Sequence, residues 1–182
     1  MTARAAVFLD RDGVINEKAP EGQYIVRSDQ VRLLPGTAEA IARLNAAGYL
    51  VIVLTNQRGI GKGLMSEADF WLVMQCIKEK LSLAKAHLDA VYFCPDVEDQ
   101  SPCRKPNVGM VEQALRNFPD IVLDRSWMVG DSVSDEECAA RVGIRSVLLG
   151  ALHHEHTEGS QGIAVESLRM FVEGLMEKGE QL

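Results

Sequence analysis

Three aspartates placed just beyond apolar runs are the residues of this chain whose types and spacing most directly suggest chemistry. Asp10 and Asp12 follow the run Ala5 to Leu9 in Asp10-Arg11-Asp12-Gly13, and Asp131 follows Ser126 to Val129 in Gly130-Asp131-Ser132, with Asp135 shortly after. Carboxylates brought together repel one another unless a cation sits between them. A hard ion such as Mg²⁺ suits the place, because it takes one or two carboxylates together with waters and phosphate oxygens. A carboxylate shielded in this way can attack phosphorus and form an acyl phosphate, which assigns the nucleophile to Asp10. Asp12, two residues further on, is placed to protonate the leaving oxygen and then to activate water. Thr55 and Asn56, in Leu54-Thr55-Asn56-Gln57, offer a hydroxyl, an amide and backbone N–H groups to phosphate oxygens. Lys105, in Cys103-Arg104-Lys105-Pro106, supplies positive charge for a phosphoryl group in transfer.

These groups meet only if the chain brings them to one edge, and its periodicity predicts that it does. Short apolar runs at Ala5 to Leu9, Leu50 to Leu54, Leu88 to Phe93, Ser126 to Val129 and Ile144 to Leu149 read as five buried strands. Helical spacing recurs between and after them, at Gly36 to Ala47, from Ser66 as N-cap to about Ala86, at Asn107 to Phe118, at Ser134 to Val142 and at Ile163 to about Lys178. Strands alternating with helices imply a doubly wound, Rossmann-like α/β fold: a parallel sheet with helices on both faces. Ligands of such sheets bind beyond the carboxyl ends of the strands, where Asp10, Asp12, Thr55, Asn56 and Asp131 fall; Lys105 lies just before a helix and converges on the same crevice if the strands are parallel and adjacent. Residues 1–182 read as a single domain, without repeat, linker or large cap domain. The stretches Asn16 to Pro35 and Pro95 to Lys105 are long for plain connections, as functional loops often are.

Composition narrows the function classes. The chain has 182 residues, 47% of them hydrophobic, and a formal net charge of −7. No basic face is evident, which argues against nucleic acid as a partner. No apolar run approaches the ~20 residues of a membrane-spanning helix, and the N-terminal residues lack the pattern of a signal peptide. Cys76, Cys94, Cys103 and Cys138 do not form the pattern of a disulfide framework. The expectation is therefore a cytoplasmic protein, monomeric, with a small phosphorylated metabolite as its partner.

The motifs Asp10-Arg11-Asp12-Gly13-Val14-Ile15-Asn16, Leu54-Thr55-Asn56-Gln57, Lys105-Pro106 and Gly130-Asp131-Ser132 with Asp135 resemble the four ordered motifs of the haloacid dehalogenase-like (HAD) superfamily. The finer wording, including Thr55-Asn56-Gln57 and Cys103-Arg104-Lys105-Pro106, is similar to the cap-less branch of D-glycero-D-manno-heptose 1,7-bisphosphate phosphatases and histidinol-phosphate phosphatases. The resemblance implies a Mg²⁺-dependent phosphatase with Asp10 as nucleophile and Asp12 as acid/base. It places Mg²⁺ on Asp10, the Asp12 carbonyl and Asp131. Thr55, Asn56 and Lys105 hold the phosphoryl group, Arg104 recognises the substrate, and Asp135 supports Lys105 or the metal shell. The branch commonly carries a zinc loop of the form Cys-x-His and Cys-x-Cys. Here the matching positions read Cys94-Pro95-Asp96 and Ser101-Pro102-Cys103, so Cys94, Asp96 and Cys103 are the candidate Zn²⁺ ligands left in a degraded set.

With no large cap, specificity falls to the loops. Tyr24 is expected to pack on a sugar ring, and Gln57, Arg58 and Arg104 to touch substrate. The cations Lys18, Arg27, Arg58, Lys62 and Arg104 favour a sugar bisphosphate, with heptose 1,7-bisphosphate cleaved at its 7-phosphate ahead of histidinol phosphate. A non-catalytic phospho-ligand sensor is the alternative of another class, and Asp12 speaks against it, because a sensor needs no acid/base beside its phosphorylatable aspartate. Gly59-Ile60-Gly61-Lys62-Gly63 lacks the full phosphate-loop pattern and reads as a surface loop, and His153-His154-Glu155-His156 as a solvated one.

Overall fold

Apolar runs too continuous to leave one face in water become the interior of one sheet. In the computed structural model, which describes residues 3–150 and 162–177, β1 (Ala6–Leu9), β2 (Leu50–Asn56) and β4 (Trp127–Gly130) are buried along nearly their whole length. They join β3 (Ala90–Cys94), β5 (Arg145–Leu149) and β6 (Ile163–Val165) in a six-stranded, all-parallel sheet of order β3-β2-β1-β4-β5-β6. In β1 the side chains alternate between two cores, as the period-2 geometry of a strand requires. Val7 and Leu9 face one core with Ile41 and Leu44 of α1 (Thr37–Ala46), Phe70, Met74 and Ile77 of α3 (Glu67–Ser82) and Phe171 and Val172 of α6 (Leu168–Glu177). Ala6 and Phe8 face the other with Met110, Val111 and Ala114 of α4 (Gly109–Asn117) and Cys138 and Ala139 of α5 (Val133–Val142). The doubly wound reading therefore holds, with helices on both faces.

Two boundaries depart from the sequence expectation for identifiable reasons. The helix expected from Ile163 begins only at Leu168. Ile163–Val165 instead extend the sheet as a sixth strand, with Leu148 opposite Ala164, and the Ser167 hydroxyl accepts the Met170 N–H at 3.2 Å to open the helix. α3 stops at Ser82 because Lys85 turns left-handed (φ 60°) and the Ala86 N–H closes back on the Leu81 carbonyl at 3.1 Å. Its start matches the expectation: the Ser66 hydroxyl accepts the Asp69 N–H at 3.1 Å, and Asp69 accepts the Ser66 N–H at 2.8 Å.

The strand order reverses between β1 and β4. That reversal opens a crevice beyond their carboxyl ends, where Asp10 and Asp131 emerge. No helix of the described residues is long and apolar enough to cross a membrane. Residues 153–156, read above as a solvated histidine loop, lie outside the described residues.

Candidate active site

The Asp10 N–H donates to the Val129 carbonyl at 2.9 Å, tying the end of β1 to β4 before the chain turns. The turn then folds back on itself, with the N–H groups of Ile15 and Asn16 reaching the Arg11 carbonyl at 2.8 and 3.1 Å. Gly13 is required there: its φ is +88°, and a Cβ would lie 1.7 Å from an Asp131 carboxylate oxygen. The tight turn aims Asp12 into a cradle of donors. Arg11 grips the carboxylate with Nε to Oδ1 at 3.1 Å and Nη2 to Oδ2 at 2.6 Å. Asn16 Nδ2 donates to Oδ1 at 2.8 Å and Gln57 Nε2 to Oδ2 at 3.1 Å. Arg11 itself is buried, its guanidinium 5.7 Å from the centre of the Phe70 ring.

Lys105 is set by a reciprocal bracket. Asn56 Nδ2 donates to the Lys105 carbonyl and Asn56 Oδ1 accepts the Lys105 N–H, each at 3.0 Å. The ammonium, its side chain 2% exposed, then donates to Asp10 Oδ1 at 3.0 Å, Asp135 Oδ1 at 2.6 Å and the Leu54 carbonyl at 2.6 Å. Asp135 also accepts the Ser132 hydroxyl at 2.6 Å.

Burial pushes the Asp10 carboxyl up to about 7; Lys105 opposes this, and the charges of Asp135, Asp131 and Asp12 reinforce it. Burial also raises Asp131, against the pull of Lys18, whose ammonium lies 2.6 Å from Asp131 Oδ2. Burial alone would lower Lys105, but Asp10 and Asp135 outweigh it and hold the lysine charged. Carboxylate oxygens of Asp10, Asp131 and Asp135 all lie within 4.8 Å of one another. The donor set fits Mg²⁺: all are hard oxygens, and a divalent cation would relieve both the burial of the Asp10 charge and the neighbouring acidic charge that adds to it. Asp135 has both oxygens engaged, Oδ1 by Lys105 and Oδ2 by Ser132, whereas the ion pairs of Asp10 with Lys105 and of Asp131 with Lys18 each take one oxygen, so Asp10 and Asp131 are the members that would hold an ion.

Asp10, Asp12, Thr55, Asn56, Lys105 and Asp131 line one cleft of about 270 Å³, together with Lys18 and Tyr24 from the Asn16–Pro35 stretch. Three other residues expected to touch substrate do not line this cleft. Gln57 was expected to touch substrate; it is 2% exposed and turned inward, donating to Asp12 and, at 2.8 Å, to the Thr55 hydroxyl. Arg58 and Arg104 stand outside the cleft lining and meet at Asp99. The glycine run read as a loop begins as a helical turn, α2 (Arg58–Gly61), packed so closely that a Cβ on Gly61 would lie 2.4 Å from the Pro95 carbonyl oxygen.

The cysteine expectation is corrected as well. Cys94 and Cys103 are joined in a disulfide, and Ser101 and Asp96 sit beside it. The reason is topological: Cys94 ends β3 beside Asn56, and Cys103 precedes the Arg104-Lys105 segment that Asn56 brackets, so their Cα atoms come within 5.4 Å. Both sulfurs are thereby consumed, and the degraded zinc set does not fit Zn²⁺. Arg11 and Asn16, which hold Asp12, carried no separate signal beyond their places in Asp10-Arg11-Asp12 and four residues after Asp12.

A family model described as HAD-hydrolase-like matches residues 102–168. The D-glycero-beta-D-manno-heptose-1,7-bisphosphate 7-phosphatase of Rhodopseudomonas palustris is 39% identical over 149 residues, covering 78% of this chain and 81% of that protein. The D-glycero-alpha-D-manno-heptose-1,7-bisphosphate 7-phosphatase of Burkholderia mallei is 39% identical over 152 residues, covering 79% and 78%. Among solved structures, the D,D-heptose 1,7-bisphosphate phosphatase from B. bronchiseptica complexed with magnesium and phosphate is similar with a TM-score of 0.86 and 30% identity, over 96% of this chain and 99% of that one.

Proposed function

The chain belongs to the HAD-like phosphatases, in the family of the D-glycero-D-manno-heptose-1,7-bisphosphate 7-phosphatases, and from that premise we propose that it removes the 7-phosphate of this bisphosphate in the cytoplasm, as a monomeric single domain. It is a phosphoric monoester hydrolase. The observation that carries the catalytic reading is the pairing of Asp10 with Lys105 at the reversal of strand order, beside an Asp12 carboxylate held by four donor atoms. Asp10 Oδ attacks phosphorus, the bond to the sugar oxygen breaks, and Asp12, which enters the step as the carboxylic acid left by the water step of the previous turnover, gives that oxygen its proton. Asp12, now a carboxylate, takes a proton from water, whose oxygen attacks the aspartyl phosphate and restores Asp10 as phosphate leaves. Lys105, Thr55 and Asn56 hold the phosphoryl oxygens throughout. Asp10, the Asp12 carbonyl and Asp131 would hold Mg²⁺, which would supply neutralisation of the charge between nucleophile and phosphate. Nucleic acid is disfavoured as a substrate by the net charge of −7.

The relatives carry both anomer names at equal identity. Phosphate release with Mg²⁺ should be measured on both anomers of the heptose bisphosphate, fructose 1,6-bisphosphate and histidinol phosphate. A higher kcat/KM for one heptose anomer supports the proposal. A higher value for histidinol phosphate overturns the substrate, and negligible turnover of all four returns the chain to the sensor reading.

Gln57 acts here through Asp12 and Thr55. Gln57→Leu is expected to lower kcat by up to about 10²-fold, with KM little changed, because it loosens the acid/base without removing a substrate contact. An effect confined to KM would restore the substrate-contact role.

A further inference from the structure

Arg58 and Arg104 converge on one exposed carboxylate. Arg58 Nη2 and, at 3.1 Å, Arg104 Nε donate to the same oxygen, Asp99 Oδ1. The exposures are unequal: the side chains of Arg58 and Arg104 are 33% and 12% accessible, that of Asp99 75%. The cations are built into the protein, whereas the carboxylate reaches them from solvent. Its approach is nonetheless fixed, because Asn107 Nδ2 holds the Asp99 and Ser101 carbonyls at 3.1 and 2.9 Å. One carboxylate also leaves donors over: Arg58 Nε and Arg104 Nη1 are buried without a hydrogen-bond partner. The pair lies next to the chemistry in the chain. Arg58 comes two residues after Asn56 and Arg104 directly before Lys105, and Asn56 and Lys105 line the cleft and bond to each other.

We propose that Asp99 is an internal competitor: its carboxylate occupies a two-arginine site for the second phosphate of the substrate and yields it when a bisphosphate binds. The inference rests on the bisphosphatase reading above. A phosphate dianion brings three acceptor oxygens and more charge, and two guanidinium forks with spare N–H groups match it better than one carboxylate oxygen does. The competitor is displaceable because an ion pair with so exposed a partner contributes little. Occupancy by Asp99 lowers the fraction of protein able to grip the second phosphate, and the apparent affinity for a bisphosphate falls by that fraction. A monophosphate does not use the site and is not taxed. Free phosphate, the product, is kept off the arginines in the same way.

The test is steady-state kinetics of the Mg²⁺-loaded enzyme and its Asp99→Ala and Asp99→Asn variants. The substrates are the heptose 1,7-bisphosphate, fructose 1,6-bisphosphate and 4-nitrophenyl phosphate. The ratio of kcat/KM for a bisphosphate to that for 4-nitrophenyl phosphate should rise in both variants through a lower KM, about tenfold if the parent site is open about a tenth of the time. Adding Arg104→Ala to Asp99→Ala should abolish the rise. An unchanged or lower ratio in the single variants overturns the proposal and makes Asp99 a support that orients the arginines. A rise seen with fructose 1,6-bisphosphate, in an enzyme that neglects the heptose, upholds the competitor and overturns the sugar assignment.

Discussion

Asp10→Asn will fold, will be inert, and without metal will be more stable than the parent at pH 8. Turnover should fall by about 10⁴-fold or more, as when a covalent nucleophile is removed from a site whose parts act as a unit. The gain in stability comes from the same carboxylate. Burial and then the neighbouring acids, net of Lys105, raise Asp10 from 3.8 to about 7. A folded state that binds this proton more tightly than the unfolded chain is favoured at low pH. It loses that advantage as pH rises toward 7, and above 7 it carries the whole penalty of a buried charge. Asparagine has no such penalty. The difference between variant and parent should thus be near zero around pH 4 and grow to a ceiling on the order of 4 kcal/mol above pH 7. Denaturant titrations of both metal-free proteins at pH 4.5, 6 and 8 measure it. Mg²⁺ should stabilise the parent more than the variant, because the ion offsets the penalty the variant lacks. Retained turnover would remove Asp10 from the nucleophile's role, and a pH-independent difference would remove the account of its burial.

Much of this arrangement is legible in one dimension because strand ends are. A continuous apolar run such as Leu50 to Leu54 has to be interior, and whatever polar residue follows it has to emerge at an edge; Thr55 and Asn56 do so. Parallel pairing, implied by the alternating helices, puts the edges of β1, β2 and β4 on the same side. What one dimension hides is the direction of a side chain once the strand has ended. Gln57 looks like the next substrate contact, yet the chain turns at that residue and sends its amide back beneath Asp12. Arg11 misleads in the opposite sense: an arginine is seldom fully buried, and here it is buried to pin its neighbour. The Cys94–Cys103 bond needs the bracket of Asn56 on Lys105, which links segments far apart in sequence. β6 is only three residues long, and the apolar residues of α6 follow so closely that Ile163-Ala164-Val165 reads as the first turn of one helix.

Lys105→Met is expected to cost both activity and fold, and the two losses can be separated. The ammonium is the shared partner of Asp10 and Asp135, and the Lys105 and Asp135 side chains are each only 2% exposed. Methionine fills much of the same volume but leaves Asp135 a buried carboxylate held by the Ser132 hydroxyl. Removing one member of a buried pair typically costs about 3–5 kcal/mol, because the other charge is stranded. Gly130 shows how little room there is for Asp135 to escape: a Cβ at that glycine would lie 2.2 Å from the Asp135 side chain. Turnover should also fall, by at least about 10²-fold, since the cation proposed to steady the phosphoryl group is gone. Adding Asp135→Asn neutralises the stranded charge, so the double variant should recover most of the stability and none of the turnover. Denaturation midpoints and kcat for the parent, the single variant and the double variant decide the matter. Recovery of both would make Lys105 purely structural. Recovery of neither would mean that the loss lies in packing around the Leu54 carbonyl, which the ammonium also holds at 2.6 Å.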